Sequence, residues 1–211
     1  MPHLVLLGDS IFDNAAYTSG GPDVVSQVRK MLPTGWAASL LAIDGSTTAD
    51  VAEQVDRLPP EATHLVLSVG GNNALIKASV LDNPASSTAQ ALGFLADVAL
   101  EFEMGYRAAV AACLHPRLPL TICTIYNGCF PDPQYQRIIS TALAVFNDAI
   151  LRVAIERSLR VIDLRAVCAN PEDYANPIEP SSVGGEKIAR IVAALVTGSN
   201  SYDGATRIIA A

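Results

Sequence analysis

Five short apolar runs, each followed by a stretch of helical period, predict a doubly wound α/β fold: a parallel sheet with helices on both faces, in a three-layer α/β/α sandwich. Two further observations agree. The strand-length runs are almost continuously apolar, as strands covered on both faces must be. Half of the 211 residues are hydrophobic and only 17% are charged, so the chain can bury a sizeable core and has too little charge for a disordered one.

The first strand is residues 4–7, Leu-Val-Leu-Leu. Val24, Val25, Val28 and Leu32 then share one side of a short helix that ends at Pro33. Residues 36–43 read as a second strand closed by Asp44-Gly45, and 49–58 as a helix stopped by Pro59-Pro60. Residues 65–69 form a third strand that runs into Gly70-Gly71. From Thr88 to Leu114, the apolar positions Leu92, Leu95, Val98, Phe102, Tyr106 and Val110 mostly fall three or four apart, which makes a long helix. A fourth strand over 120–125, a helix over 134–155 and a fifth strand over 159–164 follow. Ile188, Ile191, Val192 and Leu195 mark a last helix. The expected organisation is one domain over residues 1–197, with 198–211 as a tail, polar at first.

A net charge of -7 with scattered Lys and Arg excludes a nucleic-acid partner. The N-terminus has no basic region leading to an apolar run and a small-residue cleavage site, and no uncharged run approaches the roughly 18 residues of a membrane span. Cys113, Cys123, Cys129 and Cys168 show neither C-x-x-C nor zinc-finger spacing, so they read as reduced thiols of a cytoplasmic protein.

In a sheet of this kind, ligands bind beyond the carboxyl ends of the strands. Those ends carry Gly8-Asp9-Ser10, then Asp44-Gly45-Ser46-Thr47, then Gly70-Gly71-Asn72-Asn73, then Tyr126-Asn127-Gly128. After the fifth strand comes a loop ending in Asn176-Pro177-Ile178-Glu179-Pro180-Ser181. Each has an ordinary structural explanation: a turn, an N-cap, a flexible glycine. Together they offer a hydroxyl, an unobstructed backbone N–H and a carboxamide at one edge, the parts of a nucleophile with an oxyanion hole.

The blocks "GDSIFDN", "IDGSTT", "VGGNNA" and "NPIEPSSVGGEKIA", in that order from Gly8 to Ala189, resemble those of the SGNH (GDSL-type) hydrolase family. The resemblance implies a flavodoxin-like sheet of order 2-1-3-4-5 and hydrolysis of small esters or thioesters through an acyl-serine. It implies Ser10 as nucleophile and oxyanion donor, with Gly45 and Asn72 as the other donors, and neither metal nor cofactor. Asp9, Asp13 and Glu179 offer oxygen ligands, but Asp13 also suits a solvated turn, and no metal is expected. G-x-G-x-x-G, G-x-x-x-x-G-K-[ST], G-x-S-x-G and H-E-x-x-H are all absent, which argues against nucleotide sites and other hydrolase designs.

The chain departs from the family pattern in its last block, where Asn176 and Glu179 replace Asp and His, and in its third, where Asn73 replaces Asp. The three histidines, His3, His64 and His115, all precede strands and so belong at the opposite edge, about 17 Å away. Glu179 is therefore the candidate base. An ordinary Glu titrates at about 4.3, so this role requires burial or a neighbouring charge, with Asp9 at hand. The Asn176 amide is expected to donate to the Glu179 carboxylate. The alternative reading is a protein that binds a small ester or carbohydrate ligand without efficient turnover. Phe12, Asn73 and Tyr126, on the long loops, are the expected substrate contacts.

Overall fold

Alternation along the strands decides which helix covers which face. In β1 (His3–Gly8), Val5 and Leu7 point to one side and Leu4 and Leu6 to the other, and both sets are fully buried. β2 (Ala37–Leu40), β3 (His64–Ser68), β4 (Leu120–Cys123) and β5 (Arg160–Ile162) join β1 in an all-parallel sheet of order β2-β1-β3-β4-β5. The computed structural model describes residues 1–198, so the expected tail lies almost wholly outside the described residues.

Val5 and Leu7 pack under α2 (Val51–Asp56), α4 (Thr88–Leu114) and α5 (Pro133–Glu156), through Val51, Phe102, Tyr106, Phe146 and Ile150. Leu4 and Leu6 pack under α1 (Val24–Met31), the single turn α6 (Leu164–Val167) and α7 (Ser182–Thr197), through Val24, Val28, Leu164, Ile188 and Val192. Polar side chains start the long helices. Ser87 accepts from the Gln90 N–H ahead of α4, Asp132 from that of Gln134 ahead of α5, and Ser181 from those of Val183 and Gly184 ahead of α7. α5 is long and apolar enough to cross a bilayer by length and composition. Here its buried side chains, Phe146, Ala149, Ile150 and Val153, join the core between helices and sheet. All four cysteines are unbridged.

Several boundaries differ from expectation, among them the fourth strand, which ends at Cys123 rather than 125. The second strand ends at Leu40, because Leu41 and Ala42 both donate to the Leu6 carbonyl and break the ladder. Asp163 caps α6, so the fifth strand stops at Ile162. Residues 71–82, expected as loop, form α3 (Gly71–Ile76) and a 3-10 turn (Ala78–Asp82).

The two longest helices outrun the strands they cover. α4 has 27 residues and α5 has 24, roughly 40 and 36 Å, while β1 has six, about 20 Å. Buried residues begin at Ala99 in α4 and at Phe146 in α5. The first turns of both helices therefore rise past the carboxyl edge of the sheet.

Candidate active site

Ser10 owes its position to a turn that only glycine permits. Gly8 sits at φ +122°, and a Cβ there would lie 1.7 Å from the Ser68 carbonyl oxygen, so the end of β1 is pressed against β3. Gln54, fully buried, clamps this glycine: its Oε1 accepts from the Gly8 N–H at 2.7 Å and its Nε2 donates to the Gly8 carbonyl at 2.8 Å. The Asp9 N–H donates to Ser68 O, and the Asp9 carboxylate accepts from the Ile11 N–H. The turn after β1 is thus capped by Asp9, which leaves the hydroxyl of Ser10 for another partner.

That partner is Glu179. The Ser10 hydroxyl acts on the Glu179 carboxyl, favouring its ionised form; both residues are buried, and one carboxylate oxygen of Glu179, Oε2, is buried without a partner. Burial pushes the Glu179 carboxyl up to about 7; the Ser10 hydrogen bond opposes this and the charge of Asp44 adds to it. Burial also raises Asp9 to about 7, against the Ile11 N–H and with help from the charge of Glu179. Two carboxyls flank Ser10, each poised near neutrality.

The loop that carries Glu179 is held from several sides. Asn176 Oδ1 accepts from the N–H groups of Ile178 at 2.9 Å and Glu179 at 3.0 Å. Tyr126 donates its phenol to the Ile178 carbonyl, and Tyr174 bridges Pro180. The expected hydrogen bond from the Asn176 amide to the Glu179 carboxylate is not formed. Asn176 grips the main chain through its oxygen and holds the loop, while the carboxylate is left to Ser10.

The N–H groups of Ser10 and Gly45 have no hydrogen-bond partner among the described residues, and neither has the second amide hydrogen of Asn72, whose first is engaged by Ser46 O at 2.9 Å. Ser10, Asn72, Tyr126 and Glu179 line one cavity of about 130 Å³. Gly45 does not. It is exposed, at φ +81°, beside a separate hollow bordered by Asp50, Glu53 and Arg57, and it reaches the site through its neighbour Ser46.

Two expected substrate contacts lie elsewhere. Phe12 is fully buried in the core under α1 and α7, because the turn after Ser10 aims it inward. Asn73 faces Thr48, accepting from its N–H and donating to its hydroxyl, so it ties α3 to the β2 loop rather than lining the cavity. Asp13 accepts from the Asp44 N–H and does not join Asp9 and Glu179; no metal-holding cluster occurs among the described residues. His3 and His64 sit at the amino ends of β1 and β3, His115 follows α4, and none of them lines the cavity.

Several positioning residues escape a reading by motif. Gln54 holds Gly8, Asn147 brackets Ile125 at the end of β4 through its N–H and carbonyl, and Asn14 joins the Val24 N–H to the Pro180 carbonyl. Their signal is a polar residue on an apolar helical stripe: Gln54 beside Val51 and Val55, Asn147 beside Phe146 and Ile150.

Comparison with known proteins places this geometry. The model of the GDSL-like lipase/acylhydrolase family matches residues 6–184. A sequence search among curated proteins finds no match. Solved structures similar in fold include an extracellular lipase from Streptomyces rimosus (TM-score 0.67, 16% identity, 94% of this chain and 100% of that one). Others are the aryl esterase of M. smegmatis (0.66, 12%, 94% and 99%) and a carbohydrate acetylesterase from Sinorhizobium meliloti (0.63, 11%, 94% and 99%). With its family match spanning most of the sequence, the chain belongs to the GDSL-like lipase/acylhydrolase family, hydrolases that act on esters.

Proposed function

We propose that the chain cleaves small esters through an acyl-enzyme on Ser10, with Glu179 as the proton carrier. The observation that supports this most directly is that Ser10 and Glu179 share the wall of one cavity, where burial raises the Glu179 carboxyl to about 7 and the Ser10 hydroxyl favours its ionised form. A base poised near operating pH can take the hydroxyl proton while the oxygen attacks. Ser10 Oγ bonds to the ester carbon and its proton passes to Glu179; the carbon–alkoxy bond then breaks and the alcohol leaves with that proton. Water attacks the acyl carbon, giving one proton to Glu179, which returns it to Ser10 as the acid departs. The oxyanion of each tetrahedral intermediate is held by the Ser10 N–H and the Asn72 amide, the two expected donors whose residues line the cavity.

Ser10→Ala is expected to abolish both p-nitrophenyl acetate hydrolysis and labelling by a fluorophosphonate, and Glu179→Gln to remove most of kcat. A parent protein that shows neither reaction between about pH 5 and about pH 10 would instead be one that binds an ester without turning it over.

A further inference from the structure

The cavity at Ser10 has two unlike sides. Around Ser10 it is polar, with Asp9, Asn72 and Glu179 in the wall; Glu179 also feels the charge of exposed Asp44, which lies outside the cavity and accepts the Tyr17 phenol at 2.6 Å. Toward β3 and β4 the walls are mainly hydrocarbon, with Leu81 after α3, Leu95 and Val98 from α4, and Ile139, Ala142 and Leu143 from α5; Lys77 and Tyr135 add polar groups there. The five hydrocarbon helix residues belong to the first turns that overhang the sheet. Strands stand about 4.8 Å apart, so α5, which follows β4, lies roughly 10 Å to the side of Ser10.

Resting on the reading of Ser10 as nucleophile, we propose that the cleft between the overhanging turns of α4 and α5 receives the acyl chain, that the preferred acid is linear with about four to six carbons, and that Ala142 and Leu143 set this limit. Three features point there. The acyl group stays on Ser10 through both halves of the reaction, so it needs the apolar side, whereas the alcohol departs with a proton from Glu179 on the polar side. Between α4 and α5 the wall is mainly hydrocarbon, from Leu95, Val98, Ile139, Ala142 and Leu143, with Lys77 and Tyr135 also in the lining, and a surface of this kind suits methylenes. The size follows from the volume of 130 Å³: an apolar protein cavity of about 150 Å³ accommodates benzene, so this one holds about as many carbons.

The test is the rate profile of p-nitrophenyl esters from acetate to decanoate. Each buried methylene is worth about fourfold, so kcat/KM is expected to climb by about that factor per carbon to hexanoate and then level off. Ala142→Phe, which fills the cleft, should cut the hexanoate-to-acetate ratio at least about tenfold, and Leu143→Ala should move the optimum to a longer acid. Binding of hexanamide to Ser10→Ala, followed by NMR, needs no turnover; the amide is uncharged and is not repelled by Asp9 and Glu179. It should bind there and be lost on adding Ala142→Phe. A flat profile, a profile unchanged in both variants, or a preference that follows the alcohol in a series of alkyl acetates would overturn the acyl cleft while leaving hydrolysis intact. No turnover by the parent, with hexanamide binding that Ala142→Phe removes, would keep the cleft and refute hydrolysis. Neither turnover nor binding would overturn both.

Discussion

A carboxylate beside a serine is a poor base in water and a serviceable one when its charge is costly, and Glu179 is buried enough for that cost to matter. Its pKa of about 7 against an ordinary 4.5 has two measurable signs. In the proposed role as base Glu179 acts in its ionised form, so kcat/KM should fall about tenfold per unit as pH drops below 7. Stability runs the other way. Between pH 4.5 and 7 the folded chain holds a proton on Glu179 that the unfolded chain has released, so stability declines as pH rises through this window and levels off above it. Glu179→Gln should therefore be more stable than the parent at pH 8, by about 2–3 kcal/mol, with the gain fading as pH falls from 7 to 4.5; denaturant titrations at pH 8 and pH 4.5 measure it. Asn72→Ala should reduce kcat by about 10²–10³ with little change in unfolding midpoint, as expected for a donor to the transition state. At this scale the sequence disclosed the pairing of Ser10 with Glu179, because motif order along the chain becomes adjacency along a parallel sheet edge. It could not disclose the opposite fates of Ser10 and Phe12, or of Asn72 and Asn73. In each pair a turn only a residue or two long aims one side chain at the cavity and the other into packing, and that aim is fixed by contacts distant in sequence.

Strands and helices were more legible than the ties between them. The strand runs and the two long helices follow from apolar period alone. α3 did not, because six residues opening on Gly-Asn-Asn complete no amphipathic repeat and have weak helix propensity. The ties are buried amides. Gln54 of α2 satisfies both polar groups of Gly8, and Asn147 of α5 satisfies both of Ile125, so each helix is fastened to the strand end that carries a site loop. Gln54→Leu would strand the buried Gly8 N–H, while the Gly8 carbonyl keeps the Ile43 N–H, for an expected loss of about 1–3 kcal/mol in urea unfolding. Activity should fall further than stability alone explains, since Gly8 sets the position of Ser10. Asn147→Leu should cost a similar amount while acting on the β4 end of the cavity.

Across the whole molecule, doubly wound topology collects five loops at one edge, and helix length does the rest. The lower halves of α4 and α5 are packed on the sheet and laced by Arg107 to Glu103 and Glu156, and by Arg152 to Glu103. Their upper turns have no strand beneath them. Amide exchange should reflect this, with protons of residues 89–98 and 134–142 exchanging well before those of β1, β3 and the lower half of α4, even though all lie in regular secondary structure. The architecture was readable from alternation of periods, but the overhang required knowing where each helix stops touching the sheet. It also has an evolutionary bearing. A wall built on unsupported helix turns can trade one hydrocarbon side chain for another without shifting a strand or Ser10. Descendants of such a chain are free to change diet while keeping their frame.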